Sequence, residues 1–140
     1  MGATVVQMEI YPSVTEAERK TVKKLLTNYP KLSRQVNDVR RRDPESLTPQ
    51  QQKVLNEGGR ILDEINVAVG LIIDEEVKKI FEHRYIKGVK YSGTIDAFWS
   101  ERGRSEKTID RRIGVGVDTI AEHLKLCGII GKSDGKLTLE

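Results

Sequence analysis

The apolar residues of this chain recur three and four apart in one segment after another, and each segment begins or ends on a residue that starts or stops a helix. Val22, Leu25, Leu26 and Tyr29 fall at i, i+3, i+4 and i+7, which puts them on one stripe of a 3.6-residue helix with lysines on the opposite face. Thr15 and Glu18 ahead of them have the spacing of a capping box, in which hydroxyl and carboxylate each satisfy an unpaired backbone N–H. A helix is therefore predicted from about Glu16, and Pro30 ends or kinks it. Leu32, Gln35, Val36 and Val39 continue the spacing in a second short helix to about Arg42, where Asp43-Pro44 interrupts. Thr48-Pro49-Gln50-Gln51 is a strong start signal, with a capping hydroxyl and a proline where no N–H is needed. The helix it opens keeps Val54, Ile61, Ile65, Ala68 and Ile72 on one face. Gly58-Gly59 within it costs roughly 1 kcal/mol per glycine relative to alanine, and marks either a bend or a close helix crossing.

The second half follows the same grammar. Asp74 is placed to cap a helix with Glu75 and Glu76 in its first turn, where the helix dipole favours negative charge. Val77, Ile80, Phe81 and Tyr85 form its apolar stripe, and Gly88 closes it as the residue free to adopt a left-handed conformation. Next come a helix from Tyr91 with Ile95, Phe98 and Trp99 as its apolar face, a polar break at Gly103-Arg104-Ser105, and a helix carrying Ile109, Ile113, Val117, Ile120 and Leu124. Gly114 and Gly116 lie inside that last helix, where they are expected to weaken, shorten or bend it. The predicted fold is all-α, a helical bundle ending in a helix-turn-helix. Its parts are a leader over 1–14, an N-terminal helical region over 15–73, a helix-turn-helix region over 74–126 and a tail over 127–140. Asp134-Gly135 in the tail has the form of a tight hairpin turn, although a disordered end is the stronger expectation because two short strands have little to pack on.

Composition narrows the function classes. With 140 residues, 37% of them hydrophobic and 5% aromatic, the chain has enough apolar side chains for one core and suits helices better than sheets. It contains no apolar run long enough for a membrane span and no basic segment leading into an apolar one at its start, so a cytoplasmic location is expected, with no membrane partner. Cys127 is the single cysteine, which rules out an internal disulfide; its expected role is a small buried apolar residue, and a thiolate zinc site is not expected. The net charge of +3 permits nucleic-acid binding without demanding it. Its distribution is uneven: nine lysines and arginines from Arg19 to Arg42 face Asp38 alone.

A helix-turn-helix needs its second helix to present polar and basic side chains from its N-terminal turns. The run from Ser105 to Arg112 fits that role: Ser105 caps, Ile109 and Ile113 point inward, and Glu106, Lys107, Thr108, Arg111 and Arg112 remain available to base edges and phosphates. Arg102 and Arg104, in the turn, are placed for the flanking backbone. The region from Lys90 to Lys125 is nearly neutral, so a grip on phosphate would need the basic N-terminal helices or a second subunit.

The stretch Val77–Gly88 with its Arg84-Tyr85 phrase, followed by Tyr91, Ile95, Ser105-Glu-Lys-Thr-Ile-Asp-Arg-Arg112 and Ile120-Ala-Glu-His-Leu124, resembles the C-terminal part of ArpU/RinA-type phage transcriptional regulators. Those regulators look like sigma-factor region four. The segment from Ala97 to Ser105 is longer than the usual spacing there, which implies a different turn. The resemblance implies a phage or prophage transcriptional regulator that binds double-stranded DNA, with RNA polymerase as a further partner. Dimerisation through the apolar stripes of the N-terminal helices or of the helix from Thr48 to Ile72 would double the contacts.

No other motif carries chemistry. His83 and His123 lack metal-ligand spacing and are expected to be solvated or capping. Gly114-x-Gly116 lacks the rest of a dinucleotide fingerprint. No enzyme activity, cofactor or metal is expected. Two rival readings are a small terminase-like packaging protein, which should form rings, and a helical protein-interaction module that uses no nucleic acid.

Overall fold

The computed structural model describes residues 13–102 and 105–131, and its regular structure is helical, with no strand among the described residues. Helix α1, Glu16–Thr27, starts on the expected capping box: Thr15 Oγ1 accepts from the Glu18 N–H at 3.1 Å, and Glu18 Oε1 accepts from the Thr15 N–H at 2.8 Å. Asn28 ends it, and Pro30 sits in the first turn of α2, Tyr29–Arg40, where its missing N–H costs nothing. After a short 3-10 turn, Pro44–Ser46, the Thr48 capping box with Gln51 opens α3. This rod runs through Pro49–Lys53, a π turn at Val54–Gly58, and Gly59–Gly70.

The glycine pair in α3 marks a close crossing. A Cβ on Gly58 would lie 3.1 Å from Leu32 Cδ1 and 3.3 Å from Val36 Cγ2, both on α2. At that separation a methyl group would crowd the neighbouring helix. Backbone φ stays helical on both sides of the pair, so the rod continues.

Helix α4, Glu75–Phe81, continues through a π turn at Glu82–Ile86 and ends at Gly88, whose φ of 72° is left-handed. Helices α5, Tyr91–Arg102, and α6, Glu106–Leu126, follow. At 1.5 Å per residue α6 is roughly 30 Å long. It does not break at its glycines. Nothing lies within 4 Å of a Cβ on Gly114, whereas one on Gly116 would stand 2.6 Å from Phe81 Cδ2. The second glycine thus lets α6 cross α4 closely, and tertiary packing outweighs its poor helix propensity.

One hydrophobic core joins the two halves of the chain. Val22, Leu26, Ile65, Ile80, Phe81, Ile109, Ile120 and Leu124 are all fully buried, each worth about 1.5–3 kcal/mol for a side chain of this size. Ile129 and Ile130 belong to the same core, so the expected tail contributes to packing at its start. The chain reaches them by a left-handed Gly128 after α6, with the Ile129 N–H donating to Leu124 O at 2.9 Å. The expected hairpin at Asp134-Gly135 and residues 1–12 of the leader lie outside the described residues.

Polar ties hold α1 against α6. Arg19 Nε donates to Asp118 Oδ1 at 2.6 Å, and Lys125 Nζ lies 3.0 Å from the carboxylate of Glu18, whose side chain is fully buried. Burial by itself would raise the Glu18 carboxyl, but the Thr15 N–H and the Lys125 ammonium outweigh it and hold the group below its usual value.

Candidate nucleic-acid interface

Three local devices set the attitude of α6. Asp74 caps α4, its Oδ1 accepting from the Glu76 N–H at 2.9 Å and the Val77 N–H at 3.1 Å. The Phe81–Gly116 crossing brings α6 against that helix. Gly88 turns the chain toward α5, and its Cβ position lies 2.9 Å from Pro30 Cγ, so neither the backbone conformation nor the space admits a side chain easily. The Arg84-Tyr85 phrase is tied in at the same place: the Arg84 guanidinium lies 4.8 Å from the Tyr85 ring centroid, and its Nη1 donates to Val89 O at 3.2 Å.

Helix α5 buries Ile95 and Phe98 as expected, but Trp99 is 56% exposed. One residue further along a helix turns a side chain by about 100°, and the inward position beside Ile95 is taken by Thr94. This threonine is fully buried and bonded to His83 Nδ1 at 3.0 Å. His83 also meets Phe98 edge-on at 5.5 Å. It is therefore a packed residue, contrary to the solvated or capping role its sequence context suggested.

Ser105 caps α6, its Oγ accepting from the Thr108 N–H at 3.2 Å and donating to Thr108 Oγ1 at 3.0 Å. With Ile109 and Ile113 buried, the first turns present Glu106, Lys107, Asp110 and Arg111 to solvent. Among the described residues no ion pair holds Lys107 or Arg111. Partial burial, with the Asp110 and Glu106 charges, raises the Tyr91 phenol above its usual value.

The predicted contact set separates on this geometry. Lys107 and Arg111 are exposed, with Glu106 beside them. The hydroxyls of Ser105 and Thr108 bond each other. Arg112 turns back instead: its Nη1 lies 3.1 Å from Glu76 Oε1, with only 22% of the arginine side chain and 17% of the glutamate side chain exposed. Arg102 ends α5, and Arg104 lies outside the described residues. The Glu76 contact was not legible because 36 positions separate the partners, and the dipole already gave Glu76 a local role.

The basic N-terminal segment is only partly neutralised. Arg19 pairs with Glu16 and Asp118, Arg40 with Asp63, and Arg42 with Asp38. Lys20, Lys23, Lys24, Lys31, Arg34 and Arg41 are exposed. Arg34, Asn37, Arg40 and Arg41 line a shallow open depression on α2.

At the other end of α6, His123 and Cys127 meet Glu64 of α3. His123 Nε2 lies 2.8 Å from Glu64 Oε1, and Cys127 Sγ lies 3.7 Å from the same oxygen. The His123 hydrogen bond holds the Glu64 carboxyl below its usual value, while burial and the Glu64 charge push the Cys127 thiol up. His123 is thus paired, and Cys127 is half-buried with polar neighbours where an apolar core residue was expected.

No known protein family, curated protein or solved structure matches the chain.

Proposed function

We infer that the chain is a sequence-specific, non-catalytic DNA-binding regulator of phage or prophage type, built on a sigma region four-like helix-turn-helix formed by α5 and α6. The observation that carries the reading is the exposed N-terminal end of α6. A capped helix anchored by Ile109 and Ile113 presents Lys107 and Arg111 outward, the arrangement by which a recognition helix reaches base edges and phosphates. The exposed cations of α1 and α2 are the natural source of further phosphate contacts. RNA polymerase would be the partner through which binding affects transcription.

Two-fold pairing would compensate for the near-neutral α6 surface. An apolar groove between the end of α3 and α6, lined in part by Leu71, Ile73, Val115 and Leu126, supports it; Ile73 is 97% exposed. A protein of this kind should have the solution mass of a dimer, whereas a terminase-like ring would be several times heavier.

The test is the affinity for duplex DNA as a function of salt. Each phosphate neutralised contributes about 0.9 to the slope of log affinity against log salt, so Lys107→Ala combined with Arg111→Ala should lower the slope by about 2. Arg112→Ala should leave the slope near that of the wild type and lower thermal stability, because it removes the largely buried Arg112–Glu76 ion pair. Weak binding that ignores salt in all three proteins would refute the DNA reading. It would favour a helical protein-interaction module, a reading supported by the balance of Lys107 and Arg111 against Glu106 and Asp110.

A further inference from the structure

Glu64, His123 and Cys127 come from two helices, and their ligand-type atoms all lie within 4.8 Å of one another. We propose that they form a binding site for a divalent, thiolate-accepting cation of the zinc class. His123 and Cys127 are four residues apart at the end of α6, a spacing that stacks two side chains on one helix face. It is also within the ligand spacing of short zinc motifs.

The distances favour a tetrahedral centre. Zinc bonds of about 2.3 Å to sulfur and about 2.0–2.2 Å to nitrogen and oxygen imply ligand-to-ligand edges of roughly 3.3–3.6 Å. The Cys127 Sγ to His123 Nε2 separation is 3.5 Å and the Sγ to Glu64 Oε1 separation is 3.7 Å, both close to such an edge. Only the His123–Glu64 edge, 2.8 Å, must open, by roughly half an ångström, as a hydrogen bond gives way to two metal bonds.

Charge and ligand type agree with this choice. A carboxylate and a thiolate together cancel a 2+ ion, so the loaded site is neutral in a setting where the His123 side chain is only 14% exposed. One sulfur, one imidazole nitrogen and one carboxylate suit zinc, cobalt or nickel and are a poor match for magnesium or calcium, which take all-oxygen shells. On binding, the metal–sulfur bond forms as the Cys127 thiol releases its proton to solvent, and the imidazole binds in its neutral form. Three protein ligands leave the fourth tetrahedral position to water. Arg60 Nη2 donates to Cys127 O at 2.8 Å and steadies the turn that carries the sulfur. The metal would clamp α3 to the end of α6 opposite Ser105.

The test is titration of the full-length, chelator-treated protein with zinc alone and with cobalt(II) alone. The expected result is one equivalent bound at micromolar concentrations or below, a thiolate-to-cobalt charge-transfer band with the visible bands of a four-coordinate ion, and a melting temperature that rises with zinc. Cys127→Ser should abolish the charge-transfer band, and Glu64→Gln or His123→Gln should weaken zinc binding at least tenfold. His83→Gln, at the other histidine, should bind as the wild type does. Because Cys127 is the only thiol, zinc should also protect the unmutated protein from alkylation, a readout independent of whether any variant folds. Absence of a stoichiometric site, binding that survives both Cys127→Ser and His123→Gln, or alkylation unaffected by zinc would each overturn the proposal.

Discussion

Replacing Gly116 with alanine sets two effects of known size against each other, and Gly114, two residues away on the same helix, separates them. A Cβ at Gly116 would lie 2.6 Å from Phe81 Cδ2, 3.2 Å from Cγ and 3.3 Å from Cβ, where carbon pairs prefer about 3.5–4.0 Å. Phe81 is fully buried and its ring packs on Tyr85 at 5.1 Å, so it has no solvent to rotate into, and α4 and α6 must separate instead. Overpacking of this kind costs about 1–3 kcal/mol, while alanine gains about 1 kcal/mol of helix propensity over glycine. Gly116→Ala should therefore range from neutral to about 2 kcal/mol destabilising. Gly114→Ala, with nothing within 4 Å of its Cβ, should stabilise by about 1 kcal/mol. The difference between the two variants, about 1–3 kcal/mol, is the packing cost alone, because the propensity gain cancels. Urea unfolding followed by circular dichroism measures it, provided the slopes match and only the midpoints differ. Equal midpoints for Gly116→Ala and Gly114→Ala would refute the close crossing as the reason for the second glycine.

Gly88 and Gly128 both hold left-handed backbone, at φ of 72° and 76°, but only Gly88 has a neighbour against its Cβ position. Gly128→Ala should cost about 1–2 kcal/mol for conformation, and Gly88→Ala more than that through Pro30; equal losses in thermal unfolding would argue against the Pro30 contact. Glu18, held below its usual pKa when folded, contributes stability that is complete above the unfolded value and is lost as pH falls through the folded one. Unfolding free energy should therefore fall from about pH 5 toward pH 3 more steeply in the wild type than in Glu18→Gln. Parallel acid profiles from urea titrations at stepped pH would remove Glu18 as a source of acid sensitivity.

Local chemistry in the sequence determined where most helices begin and end. The Thr15, Thr48, Asp74 and Ser105 caps, Pro30 in a first turn and the left-handed Gly88 all act within a few residues of themselves, and the period of the apolar residues named most of the core. Tertiary structure alone decided which of two neighbouring apolar side chains faced inward, burying Phe98 alongside Thr94, with His83 packed against both, and exposing Trp99. It also decided that Gly116 serves a crossing, that Arg112 belongs to Glu76, and that His123 and Cys127 meet Glu64 across 59 and 63 positions of chain. Periodicity assigns a residue to a face of its own helix. What that face touches depends on how the helices cross, and the crossings are set by side-chain volumes summed over the whole core.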